Sequence, residues 1–181
     1  NTWIVNTSTT DDFNTSSGSI APATIESEDG VLVRAGGNSN SISVGRAYAT
    51  TFGGTNPATS EAWFSLAFQR NEHNRSLAIN PFDRTTDPGN GQYMGLAANN
   101  GSADLYAKIR WAGSASTEES TAQYTLTLGT EYFIVGQALF NNSGTEDVLN
   151  VYVFEADSYE GVLPGSPTMT VSYDFDSDFS A

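Results

Sequence analysis

Apolar and polar residues alternate along much of this chain, in short runs with the two-residue period of a half-buried β-strand. The clearest run is EAWFSLAFQRN (61–71). Ala62, Phe64, Leu66 and Phe68 fall on one face, and Trp63, Ser65, Ala67 and Gln69 on the other. LYAKIRW (105–111) sets Leu105, Ala107, Ile109 and Trp111 against Tyr106, Lys108 and Arg110. LNVYVFEAD (149–157) sets Leu149, Val151 and Val153 against Asn150, Tyr152 and Phe154. GVLVRA (30–35), QYTLTLG (123–129) and TMTVSYDFD (168–176) are read as strands too. EYFIVGQALF (131–140) is apolar at both parities, which predicts a central strand covered on both sides, or a strand with an aromatic-lined outer face. No window of helical length carries apolar residues at i, i+3, i+4 and i+7 without a glycine or β-branched interruption.

Between these runs lie GGNSNS, GGTNPATS, DPGNGQ, ANNGSAD and NNSGTED. Such segments supply residues that tolerate positive φ or form Asx turns. Many short strands separated by such loops predict an all-β fold, a two-sheet antiparallel β-sandwich of the jelly-roll kind. No internal repeat, charge run or proline-rich linker divides the chain, so residues 1–181 read as a single domain. The stretch NTSTTDDFNTSSGS (6–19) is low in complexity, and residues 1–19 are expected to be loosely held or to exchange a strand with a neighbour.

Composition narrows the function. Of 181 residues, 38% are hydrophobic, 12% aromatic and only 15% charged, and Ser, Thr, Asn and Gly make up the balance. That mix is typical of secreted all-β proteins, and the patterned aromatics argue against disorder. Seven basic residues face 21 acidic ones, for a net charge of −14, and no Lys or Arg follows Arg110. Such a surface repels phosphate backbones and anionic membranes, so nucleic acid is not an expected partner. With no cysteine, disulfides, thiol catalysis and Cys-type zinc sites are excluded. No apolar run reaches the length of a membrane span. NTWIV at the start carries no signal-peptide pattern and reads as a mature terminus or a boundary.

From TFGGTNPATSEAWFSLAFQRN onward, through GQYMGLAANNG and the strand before NVYVFEAD, the order of strands and turn residues is similar to a known family. The chain resembles the LamG-like, concanavalin A-like jelly-roll domains of exported bacterial proteins, including those with PEP-CTERM-type sorting tails. DDFN near the start and TVSYDFD near the end share the likeness, which spans roughly residues 11 to 178. The resemblance implies a secreted or cell-surface module that binds glycans, or acts as an adhesive unit or spacer. Members of the family continue past the DFD region into a closing strand. This chain ends at Ala181, so the expectation is a closing strand absent, replaced or supplied by another molecule.

The chemistry-bearing residues fit that reading unevenly. Laminarinase-type hydrolases on this fold need two Glu flanking an Asp on one strand, one as nucleophile and one as acid. IESEDG (25–30) and STEEST (116–121) have neither the order nor the setting. His73 is the lone histidine and no G-x-S-x-G elbow exists, so a Ser-His-Asp site lacks support. A polysaccharide lyase using Tyr93, His73 and Arg70 is an enzymatic alternative that no spacing demands. A glycan site instead needs aromatic platforms for the apolar faces of sugar rings, and amides or charged groups for the hydroxyls. The candidates at polar parity are Trp63, Gln69, Tyr106, Arg110 and Tyr152. Aromatics in sandwich strands ordinarily pack inward, and that reading competes with the platform for Trp63, while Trp111 is in phase with the core.

Calcium takes six to eight oxygens, often from loop Asp and Asn. Asp87 and Asn90 in DPGNGQ, and Asn142 and Asp147 in NNSGTED, are the candidate ligands of a structural ion. Asp174, Asp176 and Asp178 alternate with Phe175, Ser177 and Phe179. Alternate carboxylates on a strand stand about 6–7 Å apart, and the Gly and distal Glu of an EF-hand loop are missing. The expectation is a late strand with Tyr173, Phe175 and Phe179 inward and the carboxylates in solvent. TWIVNTS near the start could add to a neighbour's sheet, which would make the protein a fibre or surface-layer subunit that associates through strand edges.

Overall fold

The computed structural model describes residues 4–7, 13–16, 31–34, 42–45, 60–74, 76–83, 93–110, 117–141 and 145–174. Thirteen strands run through them: β1 (Ile4–Thr7), β2 (Phe13–Ser16), β3 (Val31–Arg34), β4 (Ile42–Gly45), β5 (Ser60–Gln69), β6 (Leu77–Asp83), β7 (Tyr93–Ala98), β8 (Asp104–Arg110), β9 (Thr117–Glu119), β10 (Tyr124–Thr125), β11 (Glu131–Phe140), β12 (Asp147–Glu155) and β13 (Met169–Tyr173). The only helical element among the described residues is a single 3-10 turn, Ala156–Ser158. None of the described helices is long and apolar enough to cross a membrane.

The fold is an antiparallel β-sandwich. One sheet has the order β13-β12-β11-β5, and the other the order β10-β8-β7-β6, with β9 also paired to β8. β5 leads across to β6, the meander β6-β7-β8 follows, and the chain crosses back after β10 to lay β11 beside β5. β1 pairs with β4 and β2 with β3 as two-stranded ladders. Ile4–Thr7, the segment expected to exchange, thus pairs with Ile42–Gly45 of its own chain.

The alternation seen in the sequence becomes the packing. Ala62 and Phe64 of β5, Leu105, Ala107 and Ile109 of β8, and Leu149 and Val151 of β12 all belong to one buried core. Leu105, Ile109, Ile134, Leu149 and Val151 are fully buried, each worth about 1.5–3 kcal/mol of transfer free energy. Tyr132 joins this core, stacked edge-on by Tyr124 at 5.7 Å, while its hydroxyl accepts the Thr127 N–H. Tyr173 of β13 packs against the same core, in the direction expected of it; Phe175, Phe179, Asp176 and Asp178 lie outside the described residues, as does Trp111.

Three local features differ from the expectation drawn from pattern. QYTLTLG yields only the two-residue β10, because Leu126 turns into the core and its N–H goes to Ala103. β6 was hidden by Pro81, which sits where the β6–β7 register shifts between Ile79 and Phe82. A bulge is where a strand tolerates the missing N–H of proline. β7 carries Gly95 against that irregularity, where a Cβ would stand 2.2 Å from the Ile79 carbonyl oxygen. At one end of the sandwich, Arg70 pins three loops together. Its guanidinium donates to the Glu72 and Ser102 carbonyls at 2.9 Å each, and its own carbonyl accepts from Gly129. Burial draws its pKa down, with Glu72 opposing.

Candidate functional site

The five residues proposed for a glycan site divide between the two outer faces of the sandwich. Trp63, Gln69 and Tyr152 belong to the four-stranded sheet, at the parity opposite its core residues, while Tyr106 and Arg110 belong to the other sheet. They form no common site.

On the four-stranded sheet, the register aligns the outer-facing residues in rows across the strands. Trp63 of β5 stands opposite Gln137 of β11, Gln137 opposite Asn150 of β12, and Asn150 opposite Thr170 of β13. At the strand spacing of a sheet, this row is about 14 Å long. Trp63 is 48% exposed, which settles its two readings in favour of the surface. A hydrogen-bonded chain runs along the row. The Thr170 hydroxyl donates to Asn150 Oδ1 at 2.9 Å, Asn150 Nδ2 to Gln137 Oε1 at 3.1 Å, and Gln137 Nε2 to Glu61 Oε1 at 2.7 Å. The indole N–H of Trp63 reaches the same Glu61 oxygen at 2.6 Å.

The Glu61 carboxylate gives this chain its direction. A carboxylate only accepts, so Gln137 must turn its NH2 toward it and its oxygen toward Asn150. Asn150 then presents its own NH2 to Gln137, which leaves its oxygen for the threonine hydroxyl. Every bond therefore points toward Glu61, and bonds aligned in this way polarise one another. The second N–H of each amide is left over for a ligand. The indole is held by a carboxylate on the same strand, so its orientation is set before a ligand arrives.

Beyond the row the face turns apolar. Phe133, Val135 and Tyr152 form a second buried cluster, with Ala67, Phe154, Tyr159 and Leu163 packed on it. The ring of Tyr159 lies 4.8 Å from both Phe133 and Phe154. The chain after β12 thus folds back over its own sheet, which covers the outer face of β11 at Phe133 and Val135. It also removes Tyr152 from the candidate platforms, since its ring is 8% exposed. Gln69 is exposed, but its side chain donates to the Gly129 carbonyl, at the Arg70 end of β5, three rows from Trp63.

Tyr106 is likewise closed to a stacking ligand. It is 3% exposed, and its hydroxyl donates to Asn99 Oδ1 at 2.9 Å. Lys108 lies over its ring at 5.7 Å and pairs with Glu119 at 2.9 Å across the β8–β9 ladder. Burial raises the Tyr106 pKa, against the pull of Lys108. The expectation of an exposed platform failed here because period 2 identifies the side of a sheet, not whether that side meets water. Arg110 is half-buried, opposite Tyr93 in the β7–β8 register.

The residues of the enzymatic alternative are not gathered either. Arg70 and His73 meet the turn after β7, where the Gly101 N–H donates to the His73 carbonyl. Tyr93 begins β7 at its other end, about 17 Å away at the rise of a strand. Of the four candidate calcium ligands, Asp87, Asn90 and Asn142 lie outside the described residues. Asp147 is 3% exposed, and its Oδ1 accepts the Asn141 N–H at 2.6 Å. It clamps the neck of the β11–β12 hairpin. Among the described residues, no group of three or more His, Asp or Glu is placed to hold an ion.

Glu61, Gln137, Asn150 and Thr170 went unrecognised as site residues in the sequence. One signal was available: Gln137 is the one amide side chain in a ten-residue strand that is apolar from Phe133 to Phe140 apart from it. Compared with family models, with curated proteins and with solved structures, the chain matches none.

Proposed function

We propose that this chain is a non-catalytic carbohydrate-binding or adhesive module of an exported or cell-surface protein, with its glycan lying across the outer face of the four-stranded sheet. One observation carries the reading: an exposed tryptophan in register with a hydrogen-bonded row of amide and hydroxyl side chains. A sugar ring stacks its C–H face on Trp63, and its neighbours along the chain meet Gln137, Asn150 and Thr170. Both parts of sugar recognition, an apolar platform and oriented polar groups, are then present in one line. The row is preorganised by its own bonds, so little side-chain entropy remains to be lost on binding. The LamG-like resemblance and the low-charge, Ser/Thr/Asn-rich composition agree with the assignment.

The test is a glycan array followed by titration of the best ligand with Trp63→Ala and Trp63→Tyr. Trp63→Ala should weaken binding by about tenfold or more, the loss of one stacking contact and its buried area. Trp63→Tyr should recover part of it. Thermal melting monitors the fold, which should be little affected because the indole lies outside the core. Equal affinity of Trp63→Ala and the wild type would refute the proposal.

A further inference from the structure

We infer that the glycan taken by this face is an uncharged polysaccharide, and that polyuronates and sulfated polymers are rejected. This rests on the reading above and narrows it to a ligand class. The first ground is charge. The polar row ends on Glu61, and Glu146 bonds the Ser172 hydroxyl one row away, opposite Val148. β5 contains no Lys or Arg, and none occurs after Arg110, so β11, β12 and β13 contain none either. Among the described residues, Arg70 is spent on pinning loops, Lys108 and Arg110 belong to the opposite sheet, and Arg34 belongs to the separate β2–β3 ladder. An anionic ligand on this face would meet the Glu61 and Glu146 carboxylates, with no Lys or Arg on the four strands that form it, within the field of a chain of net charge −14.

The second ground is the hydrogen-bond supply. Gln137 and Asn150 each offer a remaining N–H, and Glu61 offers only acceptor positions. A hydroxyl group can accept from the amides and donate to the carboxylate. Carboxylate and sulfate groups only accept, so they satisfy the amides and oppose Glu61. The row therefore distinguishes hydroxyls from anions by direction as well as by charge.

The experiment uses the full chain with three immobilised polymers of similar length: a neutral hexan, a polyuronate and a sulfated galactan. Each is measured at about 0.02 and 0.5 M salt, with wild type and Trp63→Ala. The expected result is Trp63-dependent binding of the neutral polymer that changes less than about twofold with salt, and polyanion binding at least tenfold weaker at low salt. Trp63-dependent binding of a polyanion that strengthens at low salt would overturn this inference and leave the glycan-binding proposal intact. Binding to no polymer, on this panel and on the array, would remove both.

Discussion

Gly136 offers the most stringent check on the sheet register that builds the candidate site. It faces Phe64 directly across the β5–β11 ladder. A Cβ placed on it would stand 2.0, 2.2 and 2.8 Å from Cε1, Cζ and Cδ1 of the Phe64 ring. Real carbon atoms do not approach so closely, so Gly136→Ala requires the ring to turn or the strands to part. The ring is 8% exposed and set in the inter-sheet core, so turning it displaces other core side chains. Overpacking of this kind costs about 1–3 kcal/mol. At about 2–4 °C per kcal/mol for a domain of this size, the melting point should fall by about 2–12 °C.

A double-mutant cycle isolates the contact. Phe64→Ala alone should cost about 3–5 kcal/mol through the cavity that it leaves. In the double mutant the new methyl group enters space that the ring has vacated, and the clash is gone. The pair should then cost about as much as Phe64→Ala alone, a coupling of about 1–3 kcal/mol. Urea unfolding of the four proteins measures each corner. If Gly136→Ala melts with the wild type, or if the two losses add to within about 0.5 kcal/mol, the Gly136–Phe64 register is wrong. The row built on Trp63 and Gln137, their neighbours in sequence, then falls with it.

Two further outcomes follow from buried polar groups. Asp147→Ala removes the acceptor of the Asn141 N–H in a nearly buried position and should cost about 1–3 kcal/mol in urea unfolding; Asp147→Asn, which keeps an acceptor oxygen, should recover part of that, and a wild-type midpoint for Asp147→Ala would refute the clamp. Stability should also fall in alkali. Burial raises the pKa of Tyr106 and of Tyr124 above 10.0. Burial opposes the charge on Lys108, but the Glu119 hydrogen bond and nearby Tyr93 and Tyr106 raise its pKa on balance above 10.5. A group whose folded pKa is raised contributes its stability in full below the unfolded pKa and loses it as the pH climbs through the folded one. These three should therefore leave stability level through neutral pH and erode it above about pH 10. Unfolding free energies at rising pH, with tyrosinate absorbance followed in parallel, check this; unchanged stability through that window would refute it.

Much of the architecture was legible in the alternation itself. The inward set Ala62, Phe64, Leu105, Ala107, Ile109, Leu149 and Val151 belongs to the observed core, because a strand with one face on a core has to place every second side chain there. The doubly apolar run 131–140 became β11, a central strand of its sheet whose outer face is covered at Phe133 and Val135 but not at Gln137. Less visible were elements whose signal is irregular. β6 contains a proline at a register shift, and β7 is buried at all six positions, so neither alternates cleanly.

The candidate site shows where the pattern gives out. Parity within a strand says which residues share a side of that strand, but not which sheet the strand joins. Trp63 and Tyr106 hold equivalent positions in their own runs, yet they end on opposite faces of the molecule. Burial is set by a further layer of structure. Tyr152 stands one row from Asn150, but it is covered because the chain from Ala156 onward returns to pack Tyr159 and Leu163 over that end of the sheet. The same return leaves the Trp63 end open. The two halves of one sheet face thus divide, through a single local connection, into a buried apolar patch and an accessible polar row. Only register brings Trp63, Gln137, Asn150 and Thr170 into that row, across as many as 107 positions of sequence between Trp63 and Thr170. A binding surface of this kind is a property of the pairing among strands, and no single strand of the sequence carries it.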